Sequence, residues 1–188
     1  PRGSEFFLLP LSWASAEKTR QIRKESPESI LCLLRGKKPQ TLIYESTADP
    51  LFRNLLLNLI NKNHKLETEN GILAGTPGRS LPAFLAESPS LLISRLPHLE
   101  QSNSSFTYGE ELILKLYRKL GAGLNPDVEL TRFLSEKAGF KYVPPFAGSI
   151  EFYPSGEEQS WSIALLQKLV ANRGDGWKWV CGEVKKYY

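Results

Sequence analysis

The stretch EQSNSSFTYGEELILKLYRKL, residues 100–120, decides the fold of this chain. It places a polar, hydroxyl-rich turn between two runs typical of β-strands, and it puts one lysine, Lys115, inside the apolar run LILKLY. Alternation along a strand puts the three leucines of this run on one face and Ile113, Lys115 and Tyr117 on the other. A lysine in a strand covered on both faces is costly unless it is paired. The alternative is that Lys115 extends to an edge of the sheet and reaches water.

Composition limits the class of protein. The chain has 188 residues, a formal net charge of +4 and 41% hydrophobic residues, which suits one large domain or two small ones. Its charges are mixed along the sequence, which does not favour nucleic-acid binding, and no apolar run approaches the roughly 20 residues of a membrane span. Cys32 and Cys181 lie far apart and both histidines are isolated, which predicts reduced thiols, a cytoplasmic protein and no zinc site.

Two sequence features predict the domain organisation. Residues 1–6, PRGSEF, resemble a protease site and a cloning remnant, and the chain contains no methionine, which suggests a piece of a longer protein. Residues 76–89 have the Pro, Gly and Ser content of a linker, so we place a boundary near Ser88. The predicted domains are therefore residues 7–88 and residues 89–188.

The first predicted domain is an α/β unit. Residues 29–34 and 41–44 have the pattern of two strands joined by a Gly/Lys/Pro turn. A helix follows, for which Asp49 is a good N-cap and Pro50 suits the first helical position. Residues 51–60 carry a wide apolar stripe at helical spacing.

The second predicted domain has five strands, mostly in antiparallel hairpins, with one helix inserted after the third strand. Residues 111–120 are predicted to form the third strand as one continuous element. For the helix, Asn125 is the candidate N-cap, Pro126 the first residue and Gly139 the stop. Two strands around a Pro-Ser-Gly turn follow, and the chain ends in the start of a further helix. The predicted fold class is α+β.

The inserted helix offers a partner for Lys115. Glu129 lies one turn into that helix and is a natural counter-charge. A third-strand lysine paired with a glutamate of the next helix, beneath a polar turn, is an arrangement that holds phosphate. The turn at residues 101–105 supplies amides and small hydroxyls for phosphate oxygens, although an ordinary solvated turn has the same composition. In such a lobe residues 167–170 are the hinge whose backbone bonds the adenine edge.

These segments resemble the maltokinase family in their order and spacing. The residues that carry the resemblance are EQSNSSFTYGEELILKLYRKLGAGLNPDVELTRFL, VPPFAGSIEF and ALLQKLVANRGDGW. The upstream segments LLPLSW, TLIYESTADPLFRNLLLNLI and GILAG resemble the cap domain that precedes the kinase lobe in that family, including maltokinase-like domains fused to trehalose synthase. The resemblance covers the chain from residue 7 to its end.

The resemblance implies ATP- and Mg²⁺-dependent phosphorylation of maltose to maltose 1-phosphate, on the route from trehalose to a glycogen-like glucan. It implies the N-lobe of a eukaryotic-like kinase, of the aminoglycoside-phosphotransferase branch, behind a cap domain. The residues that match the ATP site of the family are Ser102, Asn103, Ser104, Ser105, Lys115, Glu129, Gln167, Leu169 and Val170.

The catalytic aspartate, the Mg²⁺ ligands and most maltose-binding residues of the family belong to a C-terminal lobe that has no match in this sequence. We therefore expect the parent protein to be the kinase and this chain alone to be inactive. Two alternatives stay open: an interaction module whose cap, with the apolar helix at residues 51–60, docks trehalose synthase, or a related kinase for another sugar.

Overall fold

Antiparallel sheets and α-helices make up the part of the chain that the structure describes, so the fold class is α+β, as predicted. The structure is a computed structural model. It describes residues 5–34, 41–87, 93–96, 103–171, 174 and 176–187.

The N-terminal part is a three-stranded sheet with one helix on it. The strands are β2 (Leu11–Ala14), β3 (Ile30–Leu34) and β4 (Thr41–Glu45), in the order β2-β4-β3, and the helix is α1 (Ala16–Glu25). A two-residue strand, β1 (Phe6–Phe7), precedes them. Their shared core is small, because the helix α1 is mostly charged and buries few side chains. The buried apolar residues of this core are Ala14, Ile22, Leu42 and Tyr44.

A longer helix, α2 (Pro50–Asn61), connects this part to the main sheet. The Asp49 side chain accepts a hydrogen bond from the Leu51 amide at 3.0 Å, which confirms the predicted N-cap. One face of α2 is buried against the main sheet and supplies part of the largest core of the molecule. The buried apolar residues of this face are Leu56, Leu57, Leu59 and Ile60.

The main sheet and its surroundings contain the remaining elements of the described residues, which are β5 (Lys65–Thr68), β6 (Gly71–Pro77), α3 (Leu81–Glu87), β7 (Ser94–Arg95), β8 (Ser104–Tyr108), β9 (Leu112–Leu116), β10 (Lys119–Leu120), α4 (Pro126–Arg132), β11 (Phe146–Pro154), β12 (Trp161–Lys168) and α5 (Gly176–Lys185). The main sheet has seven strands in the described residues, in the order β5-β6-β11-β12-β9-β8-β7. The short strand β10 lies outside it and pairs with β1. The helix α4 continues as a π-helical turn, Phe133–Lys137, and Gly139 follows at φ 61°.

Three expectations about these elements are corrected. The sheet has seven strands rather than five, because the β5–β6 hairpin pairs with β11. Residues 76–89 are not a plain linker, because they contain α3, whose Leu81 is buried in the main core. Residues 111–120 do not form one strand: β9 ends at Leu116, and the chain resumes extended pairing only at β10. The boundary near Ser88 stays a prediction, although the main core draws on residues from both sides of it.

The lowered pKa of the Asp49 carboxyl makes the stability of the fold depend on pH. Burial raises the pKa of this carboxyl, but bonds from the Lys18 ammonium, the Leu51 amide and the Tyr44 hydroxyl outweigh burial and leave the pKa below its usual value. A lowered folded-state pKa gives stability that is present above the unfolded-state pKa, about 4, and lost as the pH falls through the folded-state value.

We therefore expect Asp49→Ala to lower the free energy of unfolding by about 1–2 kcal/mol at pH 7, as for other lost helix caps. The difference from the wild-type chain should shrink as the pH falls below about 4. Urea unfolding at pH 7 and at pH 3 checks this, with Asp49→Asn as the variant that keeps a capping side chain. A difference that stays constant with pH would contradict it.

Candidate nucleotide-binding site

Lys115 lies in the interior of the main sheet, on the face that is partly open. β9 is flanked by β8 and β12, and Lys115 stands in register with Ser105 on one side and Leu165 on the other. The leucines of β9 point to the opposite face and are buried in the main core, so the alternation predicted from the sequence is confirmed. The Lys115 side chain is 31% exposed, so solvent reaches it without its being at a sheet edge.

The partner of the Lys115 ammonium is a carboxylate from the first turn of α4. Lys115 Nζ donates to Asp127 Oδ2 at 2.9 Å, and the Tyr117 hydroxyl donates to the same oxygen at 3.2 Å. Asp127 is held in turn by its own amide, which donates to the Asn125 side chain at 2.9 Å and confirms the predicted N-cap. The carboxylate thus receives two donors from one face of the sheet.

The predicted pairing of Lys115 with Glu129 was wrong. Glu129 belongs to α4 but is exposed, whereas Asp127, two positions earlier, faces the lysine. Two positions correspond to about 200° around a helix axis, so only one of these two acids faces the sheet. The buried Val128 packs with Tyr117 and Leu165 beneath α4 and fixes this rotation of the helix.

Tyr117 is a second participant that the sequence did not single out. It directly follows β9 on the face of Lys115, and its ring is buried under α4. Burial, the Asp127 charge and the hydrogen bond to Asp127 all raise the pKa of Tyr117 well above its usual value, so its hydroxyl remains a donor. The alternation that placed Lys115 on this face also placed Tyr117 there, and was the signal that pointed to it.

The predicted phosphate-loop residues are divided between the two faces of β8. Ser105 stands beside Lys115, in register with it. Ser104 stands opposite Leu116 instead, and its hydroxyl accepts two hydrogen bonds from Arg118, at 2.9 Å and 2.6 Å. Asn103 is half-buried just before β8, and Ser102 lies outside the described residues. The structure therefore brings Ser105, and not Ser104, to the lysine.

The predicted hinge follows the end of β12. Gln167 is half-buried and stands in register with Ile113 of β9, on the same face as Lys115. Two backbone amides are already bonded: that of Lys168 to the Pro145 carbonyl at 3.0 Å and that of Leu169 to the Glu111 carbonyl at 2.7 Å. An adenine edge would have to use other backbone groups of this segment, or displace one of these bonds.

A cleft of about 620 Å³ lies beside the predicted hinge. It is an open groove with walls from three loops, and Leu169 and Val170 of the predicted hinge belong to one of these loops. Its other lining residues are Glu110, Glu111, Lys141, Tyr142, Val143, Pro144, Pro145, Lys168 and Ala171.

Comparison with known proteins and a survey for other sites add three findings. No protein-family model matches the chain. Among the described residues there is no group of three or more His, Cys, Asp or Glu side chains arranged to hold a metal ion. Within the same residues, no helix has the length and apolar character needed to cross a membrane.

Proposed function

We propose that this chain is the nucleotide-binding part of an ATP-dependent sugar kinase of the maltokinase type, a protein that transfers the γ-phosphate of ATP to maltose. The observation that carries the proposal is the bond of 2.9 Å between Lys115 of a central strand and Asp127 of the following helix, on a face of the sheet that solvent reaches. Kinases hold nucleotide phosphates with a strand lysine paired to a carboxylate of the next helix.

The charges at this pair suit a phosphate. The Lys115 ammonium has three donors, of which one is given to Asp127, so further donors are available to phosphate oxygens. Asp127 holds the ammonium in place and is itself held by Tyr117 and by the Asn125 cap. A lysine fixed in this way adds attraction for phosphate without the full loss of side-chain entropy on binding.

The arrangement around the pair supports the same proposal. Ser105 lies one strand away from Lys115, in register with it. Gln167 lies on the same face, one strand away on the other side, and leads into the hinge and its cleft. Of the main-sheet strands in this part of the chain, three (β7, β8 and β9) precede α4 and two (β11 and β12) follow it, as in the lobe that the resemblance implies; the short β10, between β9 and α4, lies outside this sheet.

The cofactors of the proposed reaction are ATP and Mg²⁺. The Lys115 ammonium fits the phosphates of ATP by charge, and the base would use hinge backbone groups other than the bonded amides of Lys168 and Leu169, or displace one of their bonds. When bound, Mg²⁺ would neutralise phosphate charge and orient the transferred group. In this proposal the residues of the chain bind and orient the nucleotide, whereas acceptor binding and the metal ligands belong to the second lobe that the resemblance implies.

A second candidate function, a docking module, is favoured by one observation. The helix α2 exposes two large leucines one turn apart, Leu51 at 67% and Leu55 at 66%. Apolar side chains this exposed and this close are typical of a surface that a partner covers. On this alternative the partner is trehalose synthase, and the chain does not bind nucleotide.

Isothermal titration with ATP, ADP and adenosine tests the proposal and separates it from the alternative. We expect ATP and ADP to bind more tightly than adenosine, because the phosphates contact Lys115. Binding of ATP and adenosine with equal affinity would contradict the site at Lys115. The docking module is favoured instead if no nucleotide binds and if trehalose synthase binds the chain but not the double variant Leu51→Ser, Leu55→Ser.

A further inference from the structure

Two arginines belong to a series of hydrogen bonds and one ion pair that joins the N-terminal part of the molecule to both strands of the β7–β8 hairpin. We call this series of contacts the arginine network. Its members, in order of contact, are Ser94, Arg53, Thr47, Glu45, Arg118 and Ser104.

The first end of the network is a buried guanidinium. Arg53 belongs to α2 and is 5% exposed. Its Nε donates to the Ser94 hydroxyl at 2.9 Å and its Nη2 to the Ser94 carbonyl at 3.2 Å, so one arginine bonds both the side chain and the backbone carbonyl of a β7 residue. Its Nη1 donates to the Thr47 carbonyl at 2.7 Å. The Tyr108 hydroxyl at the end of β8 donates to the Arg53 carbonyl at 2.6 Å, so α2 contacts both strands.

The second end of the network holds the start of β8. Arg118 donates to the Ser104 hydroxyl from two nitrogens, Nε and Nη2, and forms an ion pair with Glu45 at the end of β4. A further donor of Arg118, Nη1, reaches the Leu8 carbonyl at 3.5 Å. Ser104 is therefore held to the N-terminal three-stranded sheet through a single side chain.

A short turn makes the network continuous. Thr47 lies in the 3₁₀ turn Ser46–Ala48, is 4% exposed, and donates from its hydroxyl to Glu45 Oε1 at 2.7 Å. Its carbonyl accepts from Arg53. Thr47 thus contacts Arg53 directly and is joined to Arg118 through Glu45, so a displacement of this turn would change both strands of the hairpin together.

In the part of the chain that the structure describes, Arg53 is held by directed hydrogen bonds and not by an ion pair. Arg53 takes part in none of the ion pairs found among the described residues. Its guanidinium is bonded instead to two carbonyls and one hydroxyl. Burial lowers the pKa of Arg53, which shows that its charge is desolvated at a cost. What the arginine supplies, and an apolar residue does not, is a directed link to Ser94.

We propose that the arginine network positions the β7–β8 hairpin for nucleotide binding. Arg53 and Arg118 are then positioning residues, and their contacts with Thr47 and Glu45 connect the position of the hairpin to the N-terminal part of the molecule. Ser104 is the neighbour of Ser105, which stands in register with Lys115, so the network fixes the strand that brings Ser105 to the lysine. This inference rests on the proposed function, because it assigns that hairpin to the phosphates of ATP.

The test uses Arg53→Met in the full chain, with Arg20→Met as the matched control, because Arg20 is an exposed arginine of α1. Two readouts are measured: the amide hydrogen exchange of β8, and the ratio of ATP to adenosine affinity. In Arg53→Met we expect β8 amides to exchange faster and ATP to bind about tenfold more weakly, with adenosine unchanged, since a bond to a charged group is lost. Ser104→Ala, at the other end, should change both readouts in the same direction.

The outcomes are distinguishable. Unchanged exchange and an unchanged affinity ratio in both variants would overturn the positioning role. An equal loss of ATP and adenosine affinity, together with a lower melting temperature, would also overturn it and show a structural role only. If the wild-type chain does not bind ATP, the proposed function and the nucleotide part of this inference both fail, whereas faster exchange in Arg53→Met would still support the link between the network and the hairpin.

Discussion

Lys115→Met is expected to weaken ATP binding by about 100-fold, since a hydrogen bond between charged groups contributes about 1.5–3 kcal/mol. The loss has two parts: the ammonium no longer bonds phosphate, and the Asp127 carboxylate is left unpaired next to it. Adenosine affinity should not change, because adenosine has no phosphates. Stability should change little, because the pair is partly exposed to solvent and such pairs contribute about 1 kcal/mol or less.

The matched control is Lys119→Met, which removes the same charge from β10, where the lysine side chain is 61% exposed and its ammonium bonds Glu5. A general effect of net charge would weaken ATP binding equally in both variants. The double variant Lys115→Met, Asp127→Asn separates the two parts of the loss, because it also removes the negative charge that repels phosphate. ATP binding that is as tight in Lys115→Met as in the wild-type chain would refute the site.

Gly75→Ala is expected to lower the free energy of unfolding by about 3 kcal/mol or more, which is the upper range for overpacking in a close-packed core. Gly75 lies in β6 where the backbone of α2 crosses it. A Cβ added here would lie 2.3 Å from the Leu59 carbonyl oxygen and 2.7 Å from the Ile60 amide nitrogen. Both are backbone atoms of α2, so the clash is not relieved by a side-chain rotation, and helix and sheet must separate.

Thermal unfolding measures this effect, and for a chain of this length we expect a decrease of about 10 °C in the melting temperature. The matched control is Gly121→Ala, because a Cβ at Gly121 has no atom within 4 Å. It should leave the melting temperature unchanged or slightly raised. Equal melting temperatures for Gly75→Ala and the wild-type chain would contradict the close contact of α2 with β6.

The sequence predicted those elements whose signals are local. Asp49 followed by Pro50 marked the start of α2, and the Pro-Ser-Gly turn marked the hairpin of β11 and β12. Other elements carried no local signal. The helix α1 is rich in charge, and among its side chains whose burial is described Ile22 is the one buried apolar residue, so it shows no apolar stripe. The strand β5 is exposed throughout, which leaves no alternation to detect.

The pairing of distant segments was the part that the sequence did not predict. The β5–β6 hairpin extends the main sheet because β6 pairs with β11, which lies some seventy positions later in the chain. The interruption after Leu116 likewise depends on a distant partner, since the Arg118 carbonyl accepts from the Leu8 amide at 2.8 Å. Periodicity reports which face a residue occupies and not which strand will lie beside it.

In the candidate site, too, local features were predicted from the sequence and those that depend on tertiary packing were not. Alternation placed Lys115 and Tyr117 on one face, and the structure confirms it. The carboxylate partner was assigned to Glu129 and is Asp127, because the rotation of α4 is set by the packing of Val128 under the sheet. Capping residues mark where a helix starts but do not determine which of two nearby acids faces the sheet.

An acyl-phosphate derivative of ATP is the reagent that tests the central claim most directly. Its acyl group is carried by the terminal phosphate; a lysine amine that lies beside the bound phosphates attacks the acyl carbonyl, forms an amide, and releases ATP with loss of the amine proton. Peptide mass spectrometry then identifies which lysine has reacted, and excess ATP serves as the competitor. The claim predicts that Lys115 is acylated and that ATP protects it. Acylation of other lysines without protection at Lys115, or ATP protection at Lys141 or Lys168 beside the hinge cleft instead, would contradict it.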